Sequence, residues 1–150
     1  MWLTAYATLV IWTFLTLGLG SGAASMNETS RFIGPLLKFL FPSADADTLY
    51  LYHAAIRKLA HVFQYGVLCL FALRAFRIYP RQIVLALCYV VLVAVVDEVN
   101  QSFDPARTAT PLDVLLDLFG GGIAVIIYLW VSRWWTRWQA RRSPSHAPPE

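Results

Sequence analysis

Residues 95–122, VVDEVNQSFDPARTATPLDVLLDLFGGG, hold five of the chain's nine carboxylates, namely Asp97, Glu98, Asp104, Asp113 and Asp117. Each lies in or beside an apolar run. A carboxylate held in hydrocarbon costs about 2.5–3.5 kcal/mol on insertion scales, so it marks a functional site by default. An earlier segment supplies complementary groups: Lys58, His61 and Tyr65 are spaced i, i+3, i+7, which is one helical stripe. Asp97 and Gln101 are i, i+4, Glu98 and Gln101 are i, i+3, and Asp113 and Asp117 share a third face. These groups suit proton transfer and the capture of an oxyanion. His61, Asp97 and Glu98 are the candidate catalytic acid–base residues, with pKa values open to tuning by burial and crowding. Lys58, Tyr65, Gln101, Arg107, Asp113 and Asp117 are the candidate binding residues. Arg107 suits bidentate capture of phosphate or carboxylate. No Ser–His or Cys–His nucleophile arrangement is visible in the spacing, so water or a substrate hydroxyl is the expected attacker.

The elements that must position these residues are membrane spans. The chain is 58% hydrophobic and 14% charged, against about 25% charge in a soluble domain. Its mean hydropathy of +0.55 comes from several long apolar runs, which reads as an integral membrane protein partnered by the lipid bilayer. A net charge of +3, unevenly spread, gives no basis for nucleic-acid binding. Cys69 and Cys88 both fall in apolar runs without a Cys-x-x-Cys pair, so both are expected to be buried, inert thiols.

In chain order, Trp2 to Gly20 is 19 uncharged residues, about 28 Å of helix, enough to span a core of about 30 Å. The small residues Gly20 to Ser25 would suit signal-peptide cleavage, but no basic residue precedes Arg31, and the helix is expected to be retained. Thr29 to Phe41 suits a short interfacial helix in the first outer loop, with Pro35 limiting its regularity. Ser43, Asp45 and Asp47 are N-cap types for the next helix. The expected architecture is all-α, with four transmembrane helices at about 2–20, 57–76, 82–101 and 111–132. Pro105 breaks the third of these and Pro111 opens the fourth. The remainder, 133–150, is a basic, aromatic tail that anchors at the interface through its Trp and Arg residues and is disordered beyond Ser143.

Orientation follows from the basic residues. Arg74, Arg77, Arg81, Arg133, Arg137, Arg141 and Arg142 fall in two regions that four spans place on one side, which the positive-inside rule makes cytoplasmic. Both termini are then expected inside. Measured outward from the inner face, 14 residues precede Asp97 from Ile83, about 21 Å of helix. A further 14, Leu118 to Val131, separate Asp117 from the same face, and 12, Val62 to Leu73 or about 18 Å, separate His61. Three helices thus carry polar groups to similar depth. That depth places a shared pocket near the outer face, with Arg107 expected to cap it. The run Gly120-Gly121-Gly122 lies just inward of Asp117, where a neighbouring helix can approach closely.

Two segments resemble a known family. Ile56-Arg57-Lys58-Leu59-Ala60-His61 with Tyr65 is similar to the second-helix motif of the VanZ-like family of bacterial membrane proteins. Asp97-Glu98-Val99-Asn100-Gln101 with Pro105, Arg107, Asp113, Asp117 and Gly120 is similar to its second motif. The resemblance covers roughly residues 1–132 and departs from the family at Gln64, where Glu is common. It implies a four-helix inner-membrane protein of the cell envelope. The family's namesake is associated with low-level teicoplanin resistance, a phenotype of few members.

Three functional readings compete. The first is an enzyme acting on a lipid-linked or other cell-envelope substrate at the outer leaflet. The second is a non-catalytic binder of an envelope lipid, glycopeptide or peptidoglycan precursor. The third is a divalent-metal site of His61 with Asp97, Glu98 or Asp117, which would suit Mg²⁺ or Mn²⁺, although no compact ligand spacing calls for a metal cofactor. Against all three stands a bland alternative in which Lys58 and Arg107 neutralise carboxylates and the cluster merely ties helix ends together. The sequence sets no oligomeric state.

Overall fold

The computed structural model describes residues 2–18, 26–103 and 111–142, with no side-chain account of residues 26–28. Five helices follow in order: α1 (Trp2–Gly18), α2 (Met26–Leu40), α3 (Ala46–Ala75), α4 (Gln82–Ser102) and α5 (Pro111–Arg142). Among the described residues there is no strand. Three helices, α3, α4 and α5, are long and apolar enough to cross a membrane, and α1 is a shorter apolar helix of 17 residues. Leu19 and Gly20, expected to complete the first span, lie outside the described residues, as do the would-be cleavage site and residues 143–150.

Each long helix buries a stripe of small and branched residues. On α4 this stripe is Ala86, Val90, Val93, Ala94, Asp97 and Gln101, at the three- and four-residue steps of one helical face. It meets Tyr65, Leu68, Cys69, Ala72 and Leu73 of α3, with Ala124 of α5 and Leu9 of α1. The thiols correct the sequence expectation: Cys69 is buried but Cys88 is exposed. Cys88 follows Ala86 by two residues, about 200° around the helix, and so leaves the buried face.

Helix α1 packs through polar contacts that its composition does not announce. The Trp12 indole N–H donates to the Gln64 carbonyl at 3.1 Å, and the Thr13 and Tyr89 hydroxyls pair at 2.9 Å. Tyr6 meets Phe76 and Trp12 meets Phe71 edge-on. Helix α1 therefore runs antiparallel to α3.

Helix α2 continues through Pro35 despite the N–H that proline removes. Tertiary contact holds it: Leu37 is buried, and Thr29 Oγ1 lies 3.0 Å from His53 Nε2 of α3. Phe32 and Phe39 stay 82% exposed, the outward apolar face expected of an interfacial helix.

The first turn of α3 is closed by Asp45, whose carboxylate accepts from the Thr48 N–H at 2.9 Å. The Thr48 hydroxyl and backbone N–H beside it hold the Asp45 carboxyl below its usual range. A depressed folded-state pKa gives stability that is present above the unfolded value of about 3.9 and lost as pH falls through the folded one. Asp45→Ala is thus expected to lower the thermal midpoint in detergent at pH 6. The gap to wild type should close as the pH approaches 3, and a gap that is constant across this range would remove the capping explanation.

Helix α5 extends ten residues past the expected end of the fourth span, so the Trp- and Arg-rich tail is helical to Arg142. Trp135 stacks on Trp138 at 5.1 Å, and the Arg142 guanidinium lies 3.9 Å from the Trp138 ring centroid. The helix continues because nothing from Val131 to Arg142 is Pro or Gly, and the Arg residues of its last turn complement the helix dipole.

Candidate functional site

The close approach of α3 and α5 sets the site. A Cβ on Gly120 would strike the backbone of Val62, and one on Gly66 would meet the Gly120 carbonyl oxygen at 3.3 Å. One helix face further round, a Cβ on Gly121 would lie 3.3 Å from Val90 Cγ1 of α4. Glycine at 120 and 121 thus lets α5 sit against both neighbours, as the sequence run suggested. Gly122 faces open space and has no such role.

Beside this contact, His61 Nδ1 lies 3.3 Å from Asp117 Oδ1. Asp117 is 2% exposed, whereas the His61 side chain keeps 24% of its surface. Across the bundle, the fully buried Tyr65 hydroxyl donates to Asp97 Oδ2 at 3.3 Å. The His61 and Tyr65 rings are nearly parallel, with centroids 6.3 Å apart. Two side-chain pairs from three helices therefore stack along one stripe of α3. Two carboxylates at 2% exposure, each bonded to a neighbouring helix, form a built polar interior rather than a solvated rim.

The other sequence candidates distribute around this core. Gln101 is buried near the C-terminal end of α4, one turn beyond Asp97. Glu98 and Asp113 are half-buried, and Glu98 Oε2 is shielded from solvent. Lys58 is exposed, so the stripe that begins with it turns inward only at His61. Arg107, the expected cap, lies outside the described residues together with Asp104 and Pro105. Among the described residues no group of three or more His, Cys, Asp and Glu is placed to hold a metal ion. Gln64, the departure from the family pattern, contributes its carbonyl to Trp12.

Two polar features escaped sequence reasoning. Thr16 of α1 is 1% exposed, and its hydroxyl has no hydrogen-bond partner among the described residues. It sits in an uncharged run where no spacing sets it apart. His53, 5% exposed, meets Thr29 across a separation of 24 residues, which no single-helix periodicity reveals.

No curated protein and no solved structure matches this chain. The family model described as VanZ/LLP1 matches residues 3–132, a region that includes every residue of the His61–Asp117 and Tyr65–Asp97 pairs. The protein belongs to the VanZ/LLP1 family.

Proposed function

We propose that this is a four-span inner-membrane protein with both termini in the cytoplasm, whose His61-centred cluster forms a pocket at the outer leaflet and acts on a lipid-linked cell-envelope substrate. The observation that carries this reading is the His61–Asp117 pair, a histidine oriented by a buried carboxylate on a neighbouring helix. A carboxylate on Nδ1 favours the tautomer with its proton there and leaves Nε2 as the basic atom. His61 Nε2 takes a proton from water or a substrate hydroxyl as that oxygen attacks a phosphoryl or acyl centre. Asp117 stabilises the imidazolium, and the departing oxygen then takes the proton back. Asp97 is held by Tyr65, which fixes the α3–α4 side of the pocket, and Glu98 stands beside it. Arg107 and Lys58 hold the anionic group of the substrate.

The accessibility of His61 supports a ligand-facing role for the cluster. His61 keeps a quarter of its surface open while its carboxylate is enclosed, so a ligand can reach the ring, whereas Tyr65 and Asp97 are both enclosed. Purified protein in bacterial phospholipid vesicles should release a water-soluble headgroup product from radiolabelled envelope lipids. His61→Ala should abolish the release. Release that is equal in wild type and His61→Ala, or absent from both, would leave the cluster as a binder or a helix clamp. Reporter fusions test the topology: cytoplasmic signals at Tyr79 and after Arg142 with an external signal at Ala44 are expected. A cytoplasmic signal at Ala44 would invert the site.

A further inference from the structure

Proton transfer through His61 leaves one buried donor at the site unused. Gln101 is 7% exposed, and its Nε2 has no hydrogen-bond partner among the described residues. Buried amide groups are almost always paired, because a donor taken out of water without an acceptor loses its hydration for nothing in return.

The helix register shows what this donor faces. Helices α3 and α4 are antiparallel, as both the Tyr65–Asp97 bond and the Phe76–Tyr89 ring contact show. One turn outward from Tyr65 on α3 is His61, and one turn outward from Asp97 on α4 is Gln101. Each step is about 6 Å, so His61 and Gln101 stand at one level, directly outward of the Tyr65–Asp97 pair. At that level His61 engages Asp117 through Nδ1, which leaves Nε2 on the other side of the ring. A basic nitrogen and an amide donor thus share one layer of the site.

We propose that Gln101 Nε2 binds the P=O or C=O oxygen of the centre that His61 serves. This assignment rests on reading the His61 cluster as a ligand site. The attacking water or hydroxyl meets His61 Nε2, and the oxygen that gains negative charge during attack accepts from Gln101. A neutral amide suits the place better than a cation. Asp97 lies one turn inward and Glu98 three residues back on the same helix, and an Arg or Lys here would pair with them and be withdrawn from the ligand. Glutamine carries no charge, so those carboxylates attract it less than they would a cation, and its Nε2 has no partner among the described residues.

Gln101→Met keeps the side-chain length and removes the donor. If that donor is unpaired until ligand binds, the substitution should raise the thermal midpoint of the detergent-solubilised, ligand-free protein by about 2–4 °C. A glutamine that served the fold would lower it. Two probes in maltoside micelles separate the ligand classes: a short-chain alkylphosphocholine, which has a phosphoryl oxygen and no carbonyl, and a short-chain monoacylglycerol, which has a carbonyl and no phosphorus. At least one should raise the wild-type midpoint in a saturable way, with about tenfold weaker apparent affinity in Gln101→Met. The probe that responds identifies the centre. A lowered midpoint without probe, an equal response of both proteins, or no response of the wild type to either probe overturns the assignment. If Gln101→Met retains full lipid turnover while His61→Ala loses it, the donor assignment fails alone. If the probe response depends on Gln101 but no lipid is turned over, the catalytic reading fails alone.

Discussion

Gly120→Val should prevent α3 and α5 from packing and should cost the protein most of its thermal stability in detergent. The contact is between main chains: a Cβ at 120 would meet the Val62 carbonyl group and lie 3.0 Å from the Val62 Cα. No rotamer change relieves a clash with backbone, so the helices must separate. Overpacking a well-filled interior costs about 1–3 kcal/mol when side chains can yield, and here they cannot, which places even Gly120→Ala at the upper end. Gly122→Ala is the matched control, since nothing lies within 4 Å of its Cβ position. It should be neutral or mildly stabilising, because Ala is favoured over Gly by about 1 kcal/mol in a helix interior. Equal midpoints for the 120 and 122 variants would show that the α3–α5 approach is not as close as described. The effect should also reach the site. His61 directly precedes Val62, and Asp117 is three residues before Gly120, so the 3.3 Å His61–Asp117 contact depends on the same approach. A Gly120→Ala protein that still folds should therefore lose turnover out of proportion to its loss of stability.

That dependence explains which parts of the site were legible in the sequence. Depth could be counted, because apolar runs of 12 and 14 residues measure distance along a helix, and they carried His61, Asp97 and Asp117 to similar heights. Faces could be counted too, which grouped His61 with Tyr65 and Asp97 with Gln101. Pairing across helices could not be counted. Whether Asp117 or Asp97 meets His61 depends on the stagger of α3 against α5, and backbone contact at Gly120 fixes that stagger. The glycine run signalled a close approach but not its partner, Val62. Similarly, Lys58 belongs to the right stripe by spacing, yet it is exposed. The contacts of α1 were illegible for a different reason. In a run of apolar residues with scattered Thr and Trp, each face looks alike, and the Trp12–Gln64 and Thr13–Tyr89 bonds identify the buried one only after folding.

Asp117→Asn should cut turnover of the labelled lipid by about 10²–10⁴-fold, the range of a lost acid–base contribution, while leaving the fold intact. The carboxylate holds the ring by Nδ1, and in the proposed reaction it would also offset the charge that appears when Nε2 takes a proton. Asparagine nearly preserves shape but removes the charge. Its amide can also present N–H to the ring, which would favour the opposite tautomer and place a proton on Nε2, where the base is needed. Stability should move little or even rise, because an ionised carboxylate enclosed among apolar helices is itself costly, and replacing it relieves that cost. A helix clamp predicts the reverse, with stability falling and turnover following it. Asp97→Asn supplies the comparison. Its partner Tyr65 is a neutral donor that can still bond an asparagine oxygen, so the α3–α4 link should survive. Turnover should then fall less than for Asp117→Asn, by an amount set by any direct part Asp97 takes in proton transfer. The deciding measurement is kcat at saturating lipid alongside the thermal midpoint for both variants. A large kcat loss with an unchanged midpoint at position 117 supports the oriented histidine. Parallel losses of kcat and midpoint at 117, or a greater kcat loss at 97, would shift the chemistry away from His61 and toward the buried Tyr65–Asp97 pair.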